Sequence, residues 1–387
     1  MKIKDNLIIK LILGVVVGIV IGMFSNEQVI EIIITIKQIL GQVIFYMVPL
    51  IILGFITPAI TDLKDNASKM LFAALAIAYL SSVGAALFSM VAGYALIPGF
   101  NIVPQTEGVK ELPEMVFQLG IPALMPVMTA LFTSIVFGLA IIWTKSEGLE
   151  KLFKELNNIM MELVRRIVIP ILPFFIATTF AGLAYEGAII NQFPVFLKVI
   201  VIVIIGHFIW LAVLYGLAGA ISKRNPFDVI RHYGPAYFTA LGTMSSAATL
   251  PVALACARKS PVLDRKIADF AVPIGATIHL CGSVLTEVFF VMTVSQILYG
   301  KLPAAGSMIL FIVLLGIFAI GAPGIPGGTV MASLGLITGV LLFDETGVAL
   351  MLTIFALQDS FGTACNVTGD GAIALMLTGL FGDKQRA

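Results

Sequence analysis

The sequence predicts an all-α membrane protein of eight transmembrane helices and two re-entrant helical hairpins, and three observations carry that prediction. The 387 residues are 59% hydrophobic and only 12% charged, with a mean hydropathy of +1.06, which excludes an ordinary water-soluble domain. Apolar runs of the ~20 residues needed to cross a hydrocarbon core recur from end to end. Two further apolar segments are interrupted at their centres by glycine, serine and proline. Such irregular backbone survives at membrane depth only where protein or a water-filled cavity satisfies its polar groups.

In chain order, six spans are expected at about 7–24, 30–60, 71–97, 123–144, 159–185 and 193–221. The longer ones exceed the bilayer core and imply tilt or extension beyond it. The next segment, 225–259, is interrupted by Gly242, Ser245, Ser246 and Pro251. A seventh span covers 267–299, a second interrupted segment at 304–343 is broken by GAPGIPGG at 321–328, and an eighth span follows. Two broken segments, each followed by a span with polar residues at mid-membrane, form the internal duplication expected of a secondary transporter with inverted repeats. The longest polar connections, 99–118 and 145–158, are too short for a separate soluble domain.

Charge sets the expected orientation. With both termini cytoplasmic and each hairpin returning to the side it entered, 19 of the 23 lysines and arginines fall inside. Only Lys110 and Lys301 fall outside, while Lys37 and Lys198 lie within spans, so the positive-inside bias is large. Making the first hairpin a full crossing would put Arg258, Lys259, Arg265 and Lys266 outside. The re-entrant reading therefore wins on charge. No small-residue cleavage site follows the first apolar run, so no processing is implied, and a multi-pass protein of a bacterial-type inner (plasma) membrane is expected.

Enzyme and nucleic-acid functions find no support. Cys256, Cys281 and Cys365 sit in apolar surroundings without C-x-x-C spacing, which argues against a disulfide framework or a zinc site. There is no dinucleotide fingerprint, Walker loop, H-E-x-x-H pair or basic recognition helix.

The chemistry concentrates in TIFALQDSFGTACNVTGDGAIALM, residues 353–376. Asp359, Thr363, Asn366 and Asp370 are spaced by four, three and four residues, so one helix would present all of them on one face. A carboxylate costs at least ~2.5–3.5 kcal/mol at the centre of a membrane helix, and two in one span need partners, water or bound cations. Two hairpin tips near mid-membrane would supply those partners. Helix N-termini attract a carboxylate, while unwound carbonyls and helix C-termini attract cations. The first tip, TMSSAATLP, offers hydroxyls and amides and the second mainly backbone. The polar patch Gly275, Thr277, His279, Cys281, Gly282 and Ser283 suits a break in the seventh span.

Four stretches make a resemblance specific: MVPLIILGF at 47–55, SSAATLPV at 245–252, PIGATIHLCGS at 273–283 with GAPGIPGG, and QDSFGTACNVTGD at 358–370. On these motifs the chain resembles the dicarboxylate/amino acid:cation symporter family, which includes the excitatory amino acid transporters and their archaeal aspartate homologues, over its full length. The resemblance implies a homotrimer. Scaffold helices would come from 1–70 and 120–190, and an elevator-like transport domain from 71–99 and 193–387, the latter with hairpins at 225–259 and 304–343. It implies that Asp359 holds a substrate ammonium, that Thr363, Asn366 and Ser246 help hold the α-carboxylate, and that Ser245, Gly362 and Gly324 complete the substrate set. It also implies one or two Na+ sites: Asp370, Asn366 and the Gly275 carbonyl at one, and backbone around Thr277, Gly321 and Ala322 at the other.

The departures from the family pattern direct the substrate expectation. Acidic-substrate members carry an arginine three residues beyond the ammonium-binding aspartate, where this chain has Gly362, and the alternative hairpin arginine is Met244. A second substrate carboxylate buried there without a cation would cost several kcal/mol. The expectation is therefore a small neutral amino acid, in line with a resemblance of the QDS and T-A-x-N residues to the serine/threonine subgroup. The alternative is a proton- or sodium-coupled symporter of acidic amino acids or dicarboxylates. The family's N-M-D-G-T in the seventh span reads His279, Leu280, Cys281, Gly282, Ser283 here, which weakens the ion site served by the missing aspartate and leaves Ser81 and Ser82 as its remnant. H+ becomes a second candidate coupling ion. His279 is a candidate because imidazole is the side chain suited to exchanging a proton at physiological pH, and Glu287 stands where some relatives carry a proton on glutamate. His207, Cys256 and Cys365 read as packing residues.

Overall fold

The computed structural model describes residues 7–61, 69–100, 112–122, 124–322 and 327–382. Among these the chain is helical. It begins with α1 (Leu7–Phe24), α2 (Glu27–Thr61) and α3 (Lys69–Leu96), the last closed by a 3-10 turn at Ile97–Phe100, and continues with α4 (Val127–Thr144). Then come α5 (Glu147–Leu163), a π turn at Val164–Val168, α6 (Ile169–Tyr185) and α7 (Ala188–Ser222). The first interrupted segment is α8 (Phe227–Ile230), α9 (Gly234–Thr243) and α10 (Ser246–Ala257), and the seventh span is split into α11 (Arg265–Ile278) and α12 (Cys281–Tyr299). The second interrupted segment is α13 (Ala305–Gly321) and α14 (Gly328–Gly339), followed by one unbroken helix, α15 (Glu345–Phe381).

Four helical runs among the described residues have the length and hydropathy to cross a membrane: Lys69–Phe100, Val195–Ser222, Arg265–Tyr299 and Gln358–Phe381. A fifth is the pair Glu147–Val168 and Pro173–Tyr185, bent by 49°. Pro170 and Pro173 stand at that bend, where each withholds a backbone donor. At 35 residues, α2 would be ~50 Å long at 1.5 Å per residue, well beyond the ~30 Å hydrocarbon core.

Two boundaries differ from the expectation. The polar stretch 145–158, expected as a connection, is helical from Glu147: its Leu149, Leu152, Phe153, Leu156 and Met160 repeat at helical spacing, and α5 packs on α2 with Leu156 and Met160 beside Gly54. The first hairpin turns at Met244 and Ser245 alone. Met244 adopts left-handed backbone at φ 52° and Ser245 is extended, while Gly242 and Pro251 lie inside the flanking helices.

Helices α1, α2, α4, α5 and α6 pack chiefly on one another, whereas α3, α7 and α9 to α13 gather around α12 and α15. The hairpin arm α14 touches both groups, through α4 and α2 on one side and α13 and α15 on the other. The centre of the second group is α12, buried continuously from Cys281 to Ser295. The first group is held by a feature that the motifs above do not include, the run Gly14, Gly18, Gly22 on α1. A Cβ at these positions would stand 2.6, 2.2 and 2.2 Å from the carbonyl oxygens of Pro173, Ala177 and Ala181 on α6. Between apolar helices in lipid, close backbone approach through small residues supplies the packing that hydrophobicity cannot. Gly18→Leu is expected to lower the thermal unfolding midpoint of the solubilised protein by several degrees, because overpacking costs ~1–3 kcal/mol even where side chains can yield and here the obstacle is backbone. An unchanged midpoint in a fluorescence melt would show that α1 does not seat on α6 in this way.

Candidate functional site

The site is assembled from one continuous helix and the ends of three broken ones. On α15, Asp359, Thr363, Asn366 and Asp370 are all buried, at 3, 5, 1 and 1% exposure, so the stripe points into protein and away from lipid. Opposite it lie the N-terminal turns of α12 and α14, whose free amides have no partner within their own helices. The Gly282 N–H donates to Asn366 Oδ1 at 2.7 Å and the Ser283 N–H to the same oxygen at 3.2 Å, while Asn366 Nδ2 donates to Ser283 Oγ at 2.9 Å. The amide side chain thus acts as a clamp across the broken span, with its oxygen already occupied by two N–H donors.

Asp359 is held at the second hairpin tip. The Gly327 N–H donates to its Oδ2 at 2.6 Å, at the N-terminus of α14 where the dipole favours negative charge. Gly327 caps that helix at φ 72°, backbone that glycine adopts without strain.

Asp370 sits beside the other end of the broken span. A Cβ on Gly275 would lie 2.6 Å from Asp370 Oδ1, so only glycine allows α11 this close. His279 Nδ1 is 3.1 Å from the same Oδ1, and His279 Nε2 is 2.9 Å from Ser81 Oγ on α3. A hydrogen on Nδ1, assigned from these partners, lets His279 donate to Asp370 while accepting from Ser81. Asp370 Oδ2 is buried and has no hydrogen-bond partner among the described residues. A cation fits that environment: an anionic hard oxygen without a hydrogen-bond donor is the ligand an alkali ion accepts.

The remaining predicted residues are placed as follows. Ser245 extends at the first tip and its Oγ accepts from the Ala248 N–H at 3.2 Å, an N-cap. Ser246 begins α10 and is buried, and α10 packs against α15. Gly362 faces α12: a Cβ there would be 3.2 Å from Ser283 Cα and 3.3 Å from its nitrogen. Thr277 lies on the exposed side of α11 with its hydroxyl donating to Ile274 O. Gly321 ends α13 and Ala322 caps it, on an element packed against α11, whereas Gly324 falls outside the described residues. Glu287 is fully buried on α12 and meets Ser333 Oγ on α14, with its second oxygen unpartnered among the described residues. Ser82 is buried without a partner among the described residues, while Ser81 is engaged by His279.

Two features of the site are not anticipated from the sequence. His207, expected only to pack, has Nε2 3.1 Å from Gly282 O and 2.9 Å from Thr286 Oγ1, tying α7 to the first turn of α12. Gly282 and Gly362 form a glycine contact: a Cβ on Gly282 would stand 2.5 Å from Gly362 O. A polar residue facing a break on another helix, and two glycines on separate helices, carry no local signature of meeting.

The profile of the sodium:dicarboxylate symporter family matches residues 7–380. The chain belongs to that family. That family is one of symporters and not of enzymes, and membership fits the all-helical, membrane-suited fold. Among similar proteins, human excitatory amino acid transporter 2 is 30% identical over 277 residues, 68% of this chain and 47% of the relative. A putative sodium-dependent excitatory amino acid transporter of Caenorhabditis elegans, glt-4, is 27% identical over 71% of this chain and 54% of its own length. Excitatory amino acid transporter 1 of Ambystoma tigrinum is 31% identical over 61% of this chain and 44% of its own. The aligned part of this chain spans about half the length of these relatives.

Proposed function

We propose that the protein is a secondary active symporter that carries a small neutral amino acid with sodium. The observation that carries this reading is the pairing of Asp359 with a glycine contact at 362. A buried carboxylate, held by one tip amide, has capacity left for an ammonium group, and the residue one turn on has no side chain and no room to gain one while α12 stays in place. An arginine fork, the usual partner of a second carboxylate, is absent from that position and from the buried Met244. The unpartnered Asp370 oxygen supports one sodium site with the Gly275 carbonyl, and the end of α13 with α11 supports a second. His279 and Glu287 are the groups through which protons would take part. The helix groups support a scaffold built on α1, α2 and α4 to α6 and a moving body built on α12 and α15; eight crossings, two re-entrant hairpins, cytoplasmic termini in the plasma membrane and a homotrimeric elevator belong to the same proposal.

A second reading, symport of acidic amino acids or dicarboxylates, is favoured by the names of the family and of the relatives. Thermal stabilisation separates the two, because a ligand that binds the folded state raises its stability by RT ln(1 + [L]/Kd). Serine, threonine or alanine is expected to raise the melting midpoint of the purified protein in sodium but not in choline, and glutamate, aspartate and succinate are expected to leave it unmoved. Stabilisation by the acidic compounds alone would reverse the assignment of substrate while leaving sodium symport in place.

A further inference from the structure

The first turn of α12 lacks a cap of its own. Leu280 precedes it without a side-chain hydrogen bond to the helix, so the Gly282 and Ser283 N–H groups need an acceptor from elsewhere. Asn366 on α15 supplies it: one oxygen takes both donors at 2.7 and 3.2 Å, the pattern of an N-cap asparagine brought in from another helix. The Ser283 N–H and the Gly282 carbonyl are two ends of one planar peptide unit. Whatever holds that carbonyl therefore also aims the N–H at Asn366.

His207 on α7 holds it. Its Nε2 lies 3.1 Å from Gly282 O and 2.9 Å from Thr286 Oγ1, and the Thr286 hydroxyl donates to the same carbonyl at 3.0 Å. A carbonyl oxygen only accepts, so the hydrogen of the neutral ring is assigned to Nε2. His207 and Thr286 are both buried, which removes bulk water as a competitor for the bond. Donation to a peptide carbonyl polarises the N–H at its other end and strengthens the bond made there. Toward α15 the peptide is wedged in place, since a Cβ on Gly282 would stand 2.5 Å from Cys365 Cβ. Cys365, the residue before Asn366, in turn meets His207 O with its Sγ at 3.9 Å, a weak contact that closes a ring from α7 through α12 to α15 and back.

We propose that His207 is a positioning residue for transport: its Nε2–H fixes the Gly282–Ser283 peptide, and through that peptide the orientation of the Asn366 amide. The inference rests on the reading above, in which Asn366 helps hold the substrate α-carboxylate and one sodium. With Oδ1 held by two donors and one Nδ2 hydrogen on Ser283 Oγ, the amide keeps a single orientation toward both ligands. A peptide free to tilt lets the amide rotate, and binding must then order it first.

Two substitutions separate the donor from the bulk. His207→Gln places an amide nitrogen as far along the side chain as Nε2 and keeps a donor, whereas His207→Leu fills the space without one. In melting-midpoint titrations of the purified full-length protein, His207→Leu is expected to raise the half-saturating concentrations of sodium alone, and of serine at saturating sodium, about fivefold, the equivalent of ~1 kcal/mol. His207→Gln should keep both within about twofold of the parent. A merely structural histidine would, on replacement, lower the midpoint of the ligand-free protein without moving either affinity.

The peptide can also be observed directly. Gly-Ser occurs only twice in the chain, at 282–283 and 306–307, so carbonyl-13C glycine with 15N serine leaves two signals in a carbonyl–nitrogen correlation spectrum. One is expected to move upfield in carbon in His207→Leu, as a carbonyl does on losing a donor, and to return toward its parental place in His207→Gln, while the other stays. Parental affinities for serine and sodium in His207→Leu, equal losses in the two variants, or a Gly-Ser spectrum that His207→Leu leaves unchanged would overturn the proposal. A parent protein that no neutral amino acid stabilises would count against the substrate reading alone, because the sodium titration and the carbonyl signal still decide the role of His207.

Discussion

Asp359→Asn is expected to raise the amino acid concentration needed for half-maximal stabilisation by two to three orders of magnitude, with uptake into proteoliposomes falling below detection. The substitution is nearly isosteric, and the asparagine oxygen can still accept from the Gly327 N–H that holds the second tip. What changes is charge. Removing one partner of a buried ion pair costs ~3–5 kcal/mol, because the ammonium is left desolvated and uncompensated, and each 1.4 kcal/mol is tenfold in affinity. Sodium added without amino acid should stabilise the variant as it does the parent, which separates loss of the ammonium anchor from loss of the fold. An amino acid affinity within threefold of the parent would remove Asp359 from the substrate contact.

The stripe on α15 is legible in the sequence because it depends on local periodicity. A helix repeats every 3.6 residues, so polar positions at 359, 363, 366 and 370 must share a face, and the cost of burying two carboxylates in an apolar span makes the face conspicuous. The break at His279 and Leu280 is legible for a similar reason, since small and polar residues cluster there within an apolar run. Contacts that join distant segments are not. The bond from His279 to Asp370 spans 91 residues and the one from Ser81 to His279 spans 198, and neither spacing has a local meaning. Pro251 reads as part of the first break, yet it sits inside α10. The turn is completed by Ser245, whose carbonyl accepts from the Thr249 hydroxyl, and by Thr243 Oγ1, 3.0 Å from Thr249 Oγ1. Hydroxyls, and not the proline, set the end of the hairpin. The glycines at 14, 18 and 22 carry a recognisable small-residue spacing, but spacing alone does not name a partner; the fold does, by setting them against Pro173, Ala177 and Ala181 of α6.

Asp370→Asn should weaken sodium binding at least tenfold while leaving binding of the amino acid at saturating sodium within about threefold. Its Oδ1 accepts from His279, so the oxygen open to a cation is Oδ2, buried and without a partner among the described residues. Two unit charges 4 Å apart interact by about 4 kcal/mol at an effective dielectric of 20, and a neutral amide keeps only the dipolar remainder of that attraction. If the asparagine turns its NH2 toward the cavity, the site presents a donor to the cation and the loss grows. His279→Asn supplies the opposing test. It withdraws the imidazole from Asp370 Oδ1 and returns a second oxygen to the cation, so sodium affinity is expected to hold or rise, whereas a histidine that merely positioned Asp370 would on removal reduce it. Sodium titrations followed by melting midpoint, without amino acid, measure both directions in one assay. A sodium dependence unchanged in Asp370→Asn would place the coupling ion elsewhere and leave the buried carboxylate explained by its bond to His279 alone.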